Sequence, residues 1–308
     1  MTNIEDLKNR NRELLDSWPD DEDLGPFSHL SGRRWVTPNR GWNMIALPFA
    51  QGGQRYRLLM NQYAEELEFK TVDKGIKNRG IDTGINPDHD QVIVGIDYQQ
   101  KITQIAADDR PQSGLAGNPG QVVHHEPGLF LHMKNRTTED LDIARLATIP
   151  HGDSVLALGR SVTMDGPPII PELSGLPIGV TNPIDDEYME PYKDFRDQPF
   201  ENLFDPTKAN ELLRRANNGV NIVRHTKLEF DTRFGTGVIV NIPFVVEQAN
   251  ATEMQSTFWI SELIDDNGEP ALQLQYSQTV MLEFFDRNDG EEGLIKWPHI
   301  SINTLRVG

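Results

Sequence analysis

The chain has 308 residues, of which 37% are hydrophobic and 25% charged, a composition typical of a globular protein large enough to bury a sizeable core. Its 47 acidic and 29 basic side chains give a formal charge of −18, which repels phosphate backbones and argues against nucleic acid as a partner. The absence of cysteine excludes disulfides, thiolate nucleophiles, zinc fingers and iron–sulfur clusters.

The N-terminal segment is polar and acidic. Residues 1–18 carry Ile4, Leu7, Leu14 and Trp18 at helical spacing before Pro19, which predicts a short surface helix within an N-terminal extension over 1–25. The segment lacks the basic and apolar regions of a signal peptide, and no apolar run approaches the ~20 residues of a membrane helix. We therefore expect a cytoplasmic protein without membrane insertion.

Alternation with a period of two dominates most of the remaining chain. It predicts strands in segments 55–73, 91–106, 122–133, 142–162, 238–246, 256–264 and 272–284, with a hairpin turn at Asp265–Gly268. In 272–284, Leu274, Tyr276 and Val280 share one face. Because strands follow one another with almost no helix between them, the order indicates an antiparallel meander, closed into a barrel or folded as a sandwich, in two parts, 26–163 and 225–308.

Residues 164–224 interrupt this pattern. Eight prolines between 167 and 206 disfavour both strand and helix there, so we predict a long insertion that serves as a lid or a side wall. Within it, Asp205 as N-cap, Pro206 at the first position and Gly219 as a stop predict a helix over 206–217.

Two histidine-containing stretches carry the polar chemistry. In "VVHHEPGLFLHM", strand parity places His124 and Glu126 on one face and His125 on the other, a pattern open to a metal site, an acid–base pair or a structural hydrogen bond. In "WPHISINTL", His299 shares a face with Ser301 and Asn303, and it is either a ligand or a solvated histidine at a strand end. Glycine-rich phosphate loops, nucleophile elbows and HExxH helices are absent from the sequence.

The order of four motifs resembles a known family. "HHEPG", "LATIPHG", "LQYSQTV" and "WPHISINTL" follow one another as in nitrobindin, a heme-binding β-barrel related in fold to lipocalins and fatty-acid-binding proteins. The resemblance covers about 120–160 and 225–308, and it is loose over 30–105. It implies a mainly β fold, an antiparallel up-and-down β-barrel, here with a partly helical insertion and a short N-terminal helix.

The resemblance also implies a cofactor and its site, carried over position by position. Heme b would have His299 as its iron ligand and His124 on the distal, catalytic side, with a small molecule as the ligand of the barrel cavity. Three further cofactor-binding positions would be Thr148, Tyr276 and Val280. The implied activity is binding of nitric oxide by ferric iron and isomerisation of peroxynitrite to nitrate, or peroxidase-like chemistry.

Two other functions fit the same residues. The first is a heme-free, lipocalin-like carrier of a small hydrophobic molecule, in which His299 is incidental. The second is a cupin-type non-heme metal site built from His124, Glu126 and His151, although the usual order of cupin ligands is not found.

Overall fold

The computed structural model describes residues 15–49, 55–79 and 90–308, and most of them lie in one antiparallel sheet. The strands are β1 (Arg34–Val36), β2 (Gly41–Pro48), β3 (Tyr56–Asn78), β4 (Gln91–Arg110), β5 (Val122–Met133), β6 (Ile143–Ile149), β7 (Asp153–Asp165), β8 (Asn221–Asp231), β9 (Val238–Asn241), β10 (Asn250–Ile264), β11 (Pro270–Asp286) and β12 (Leu294–Val307).

Ten of these strands form a closed barrel. Strands β2 to β8 pair in chain order, β8 pairs with β10, and β10, β11 and β12 follow. Pairing of β12 with β2, with Ser301 opposite Asn43, closes the ring. Strand β1 bridges β12 and β3, and β9 pairs with β7. The predicted antiparallel up-and-down barrel is therefore confirmed, and the sandwich is excluded.

The last strand shows how parity positions the interior. His299 is paired with Val280 and Ser301 with Gln278 across β11 and β12, and all four side chains face the inside of the barrel. The intervening Ile300 belongs to the outer face, as parity predicts, and is fully buried. Alternation in the sequence thus separates an inner polar row from an outer apolar row on one strand.

The helices are short. They are α1 (Glu190–Asp197), α2 (Glu211–Ala216) and α3 (Pro243–Ala249), with 3-10 helices at Glu22–Phe27, Glu187–Met189 and Pro206–Lys208. Within the described ranges, no helix has both the length and the apolar character needed to cross a bilayer. The helix expected over 1–18 falls mostly on residues 1–14, outside the described residues, and residues 15–18 have no regular structure.

Two predicted elements need correction. The helix expected over 206–217 is divided: Asp205 accepts a hydrogen bond from Thr207 N at 2.8 Å and caps only the 3-10 turn, and α2 follows separately. The strand expected over 238–246 stops at Asn241 because Pro243, at the first position of α3, starts a helix there.

The segment between β7 and β8 packs against the outside of the barrel wall. Phe204 lies 5.6 Å from Trp42 of β2 between ring centroids, and Ser277 Oγ of β11 donates to Asn210 Oδ1 at 2.8 Å. The backbone of Ile178 pairs with that of Lys296 on β12 through two hydrogen bonds of 2.9 Å. Although this whole segment is described, it contributes no residue to the lining of the cavity inside the barrel. The segment therefore lies along the outside of the barrel wall.

Candidate ligand cavity

The barrel encloses a cavity of about 450 Å³, a size typical of small-molecule sites. Most of its surface is aliphatic, because alternate residues of the strands turn branched side chains inward. Representative lining residues are Ile45, Leu59, Ile102, Val155, Val280 and Leu282. A molecule in this cavity would therefore be surrounded mainly by hydrocarbon.

Helix α3 lies at the rim of this cavity. Phe244, Val245 and Gln248 line the cavity from this helix, and none of its side chains is buried. The preceding residue, Ile242, is fixed to the β6–β7 turn by a hydrogen bond from its backbone N to Gly152 O at 3.0 Å. The element that lies over the cavity is thus α3, which begins in the second half of the strand predicted over 238–246.

His299 projects into the cavity and is held by an amide. Asn43 Nδ2 lies 2.7 Å from His299 Nε2 and 2.8 Å from Ser301 Oγ. An amide nitrogen only donates, so Nε2 of the imidazole is the acceptor and the ring proton is on Nδ1. The closure of β12 against β2 creates this contact, since Asn43 lies opposite Ser301 in the register.

The imidazole of His299 is uncharged at neutral pH. Burial, with smaller effects from the nearby His124 and His151, lowers the pKa of His299 to about 3. The ring is therefore a neutral hydrogen-bonding group in the cavity wall.

Glu126 and Arg145 form a buried ion pair on another part of the wall. Arg145 Nη2 donates to Glu126 Oε1 at 2.8 Å, Tyr98 donates to the same oxygen, and His124 Nε2 lies 3.1 Å from Oε2. Burial alone would raise the pKa of Glu126, but Arg145, His124 and Tyr98 outweigh it and lower the pKa to about 2. Glu126 is therefore a carboxylate over the whole physiological range.

Most N–H groups of the Arg145 guanidinium donate hydrogen bonds to neighbouring residues. Its Nε donates to Tyr98 Oη at 3.0 Å, and its Nη1 donates to Ser256 Oγ at 3.1 Å and to Gln278 Oε1 at 2.6 Å. With the bond to Glu126, four of the five N–H groups of a guanidinium are taken. Arg145 therefore organises the interior of the barrel and offers little to a ligand.

A second buried carboxyl group, Glu65, has a different environment. Tyr276 Oη, Asn303 Nδ2 and Gln100 Nε2 donate to it at 2.7, 2.8 and 2.7 Å, and Tyr63 Oη lies 2.8 Å from Tyr276 Oη. All of these partners are neutral. Burial raises the pKa of Glu65, and the three hydrogen bonds oppose this effect only in part. The two interior carboxyl groups are thus shifted in opposite directions.

Polar atoms also gather near His124. The ring of His124 lies 5.9 Å from that of His151 between centroids, and Asp153 belongs to the same lining. Asn61 Nδ2 donates to Gln104 Oε1 at 2.6 Å, whereas Gln104 Nε2 and Asp153 Oδ1 are buried without a hydrogen-bond partner in the described part of the chain. These atoms give the cavity both a free donor and a free acceptor.

The cupin-type ligand set is brought to one cavity but not into a metal-binding arrangement. The cavity is lined by all three residues of this set, His124, Glu126 and His151. The first two, however, form a hydrogen bond with each other, between His124 Nε2 and Glu126 Oε2. Within residues 15–49, 55–79 and 90–308, no three His or carboxylate side chains are grouped so that they could hold a metal ion.

Four of the five residues expected at the site line the cavity, and one does not. Thr148 is exposed on the outer face of β6, where its Oγ1 donates to Pro127 O at 3.4 Å. His125 is exposed as well, in agreement with strand parity. The four lining residues are His124, Tyr276, Val280 and His299.

Sequence reasoning missed the residues that organise the wall. Arg145 lies within the apolar stretch "DIARLATI", and Glu65 lies within "YAEELEF", so a charge in an otherwise inward-facing position was the available signal. Asn43 and Gln104 carried no comparable signal, because isolated amides are common on exposed strand faces.

No protein-family model matches the chain, and no curated protein matches it in sequence. The closed ten-stranded antiparallel barrel is consistent with a lipocalin- or nitrobindin-like fold.

Proposed function

We propose that the barrel binds a small, largely apolar molecule inside its cavity. The observation that carries this proposal is the cavity itself, about 450 Å³ in volume and lined mainly by aliphatic side chains with a few converging polar groups. Apolar surface that leaves water on entering such a site supplies the affinity, and the polar groups supply orientation. The buried ion pair of Glu126 and Arg145 keeps the wall in place around the ligand.

The test is direct binding of pyrene, a fluorescent hydrocarbon without hydrogen-bonding groups. We expect saturable binding by the wild type and at least about tenfold weaker binding by Val280→Phe, because Val280 faces the cavity and the larger ring would fill it. Val162→Phe, the same change at an exposed position on β7, is the control and should bind as the wild type does. Absence of saturable binding, or equal effects of the two substitutions, would contradict the proposal.

Heme binding is the second candidate, and one observation favours it. His299 offers a neutral imidazole inside a barrel cavity, the form in which histidine binds iron. When bound, the heme would supply an iron able to bind diatomic or peroxidic ligands, as the resemblance to nitrobindin implies. Binding of nitric oxide or peroxynitrite would require that heme is bound first.

Two features of the cavity oppose heme as the residues stand. Asn43 already donates to His299 Nε2, so iron ligation through that nitrogen would require this hydrogen bond to break. In the part of the chain that the structure describes, no Lys or Arg lines the cavity to pair with the two propionates of heme b. For these reasons the carrier function ranks first.

A hemin titration separates the two candidates. If His299 binds iron, His299→Ala abolishes the heme absorption spectrum of the complex, and Asn43→Ala strengthens binding because Nε2 is released. A wild type that binds pyrene but not hemin would support the carrier function alone. Hemin binding that is unchanged in His299→Ala would show that His299 is not the axial ligand.

A further inference from the structure

The charges in the cavity wall restrict the polar end of the ligand. Among the described residues, Glu126 and Asp153 are the carboxyl groups of the lining, and none of the lining residues is Lys or Arg. The nearby Arg145 has four of its five N–H groups engaged by protein acceptors, one of them Glu126. A carboxylate placed here would be removed from water without a free cation, which is strongly unfavourable.

The histidines do not supply that cation. His124 Nε2 is directed to Glu126 Oε2 at 3.1 Å, so a proton on this ring is shared with a protein carboxylate. Burial lowers the pKa of both His299 and His151, which keeps their rings neutral. An anionic ligand would therefore meet neutral imidazoles and a carboxylate.

Gln104 provides the specific recognition group. The residue is 2% exposed and lines the cavity from β4, and its Oε1 is occupied by Asn61 Nδ2. Its Nε2 is buried and has no hydrogen-bond partner among the described residues. A buried amide N–H without an acceptor is costly, so a ligand oxygen that accepts from Gln104 gains free energy that a hydrocarbon cannot. An ammonium group could donate to Asp153, whose Oδ1 also has no hydrogen-bond partner among the described residues, but it has no acceptor to offer the N–H of Gln104.

We propose that the natural ligand carries an uncharged, oxygen-bearing polar group, a hydroxyl or an amide or ketone carbonyl, and that Gln104 donates a hydrogen bond to that oxygen. This inference rests on the proposed function, because it specifies the ligand class of the same cavity. It distinguishes the protein from carriers of free fatty acids, whose ligands are carboxylates.

The test is displacement of pyrene at pH 7.5 by four compounds that share a decyl chain: decan-1-ol, decanamide, decanoate and decylammonium. We expect the alcohol and the amide to bind at least about tenfold more tightly than decanoate, which meets no free cation, and more tightly than decylammonium, which leaves Gln104 Nε2 without an acceptor. Decanoate or decylammonium binding as tightly as the alcohol would overturn the inference and leave the proposed function intact. If neither pyrene nor any decyl compound binds, the proposed function fails and the inference falls with it.

Substitution of Gln104 tests the recognition group separately. Gln104→Met removes the donor at similar volume, and we expect the affinity for decan-1-ol and decanamide, each taken relative to that for pyrene, to fall roughly fivefold. Saturable pyrene binding by the variant also reports that the cavity is still formed. The matched control is Gln99→Met, the same change at an exposed position on β4. Equal affinities of the two variants for the alcohol would show that Gln104 does not contact the ligand.

Discussion

Replacement of Arg145 by methionine is the strongest test of the interior electrostatics. Methionine retains most of the apolar stem but none of the four hydrogen bonds that the guanidinium donates. The side chains of Arg145 and Glu126 are 3% and 1% exposed, so water cannot take over the role of the lost cation. The variant would leave a carboxylate buried without its principal counter-charge.

The magnitude follows from the titration of Glu126. Its pKa falls from an ordinary 4.5 to about 2, which at about 1.4 kcal/mol per pH unit corresponds to roughly 3 kcal/mol. Removal of one partner of a buried pair costs about 3–5 kcal/mol in other proteins. We therefore expect Arg145→Met to lower the free energy of unfolding by about 3–5 kcal/mol at pH 7.

The pH dependence has a defined sign. Because the folded pKa of Glu126 is depressed, its stabilising contribution is present above pH 4.5 and is lost as the pH falls towards 2. Arg145→Met should abolish this contribution. The double variant with Glu126→Gln should be more stable than Arg145→Met alone, since no charge is then left buried.

Urea unfolding followed by circular dichroism measures these differences. The control is Arg224→Met, because Arg224 is 51% exposed and pairs with Glu262 at the surface, where an ion pair contributes about 1 kcal/mol or less. A loss below about 1 kcal/mol for Arg145→Met would refute the reasoning, as would a double variant no more stable than the single one.

Two further substitutions test the wall of the barrel. Burial raises the pKa of Glu65, so its contribution to the free energy of unfolding is greatest below pH 4.5 and declines as the pH rises through the folded pKa. Glu65→Gln should remove that decline. Urea unfolding in which the variant is destabilised relative to the wild type by more at pH 8 than at pH 4 would contradict this. In Gly128→Ala, the new Cβ would lie 2.4 Å from both Leu146 O and the ring of Tyr98, so we expect the free energy of unfolding to fall by about 1–3 kcal/mol. The control is Gly75→Ala, whose new Cβ would have no atom within 4 Å and should change stability by less than about 0.5 kcal/mol. Equal effects of the two substitutions in thermal unfolding would disprove the close approach at Gly128.

The barrel was predictable because its signal is local. Alternation along each strand reports which side chains share a face, and this parity correctly separated His124 from His125 and His299 from Ile300. Parity does not report what covers the outer face. By the same alternation, Gln275 lies on the opposite face of β11 from Tyr276. It is nevertheless fully buried, since the segment between β7 and β8 covers it and Leu213 O accepts from its Nε2 at 3.0 Å.

The cavity was less predictable because its contacts are long-range. Glu65 meets Tyr276 and Asn303 only after the barrel closes, and these partners lie 211 and 238 residues away in sequence. Thr148 was placed by resemblance and not by parity. The parity of β6 itself, with Arg145 and Ala147 buried, would have placed Thr148 outside.

The strand predicted over 238–246 is correct for Val238–Asn241 and ends early for a local reason. Branched residues on both sides of Pro243 favour a strand, but proline has no N–H for the sheet ladder and is well suited to begin a helix. A break at this proline would have been the better prediction.

That helix, α3, has a kinetic consequence. Because Pro243–Ala249 buries none of its side chains, moving it away from the rim exposes little additional apolar surface and needs only a small local free energy. If α3 moves to admit a ligand, this opening would not require global unfolding, which must separate ten paired strands. The residence time of a bound molecule and the melting temperature of the fold would then be set by different parts of the chain, so selection could adjust one without changing the other.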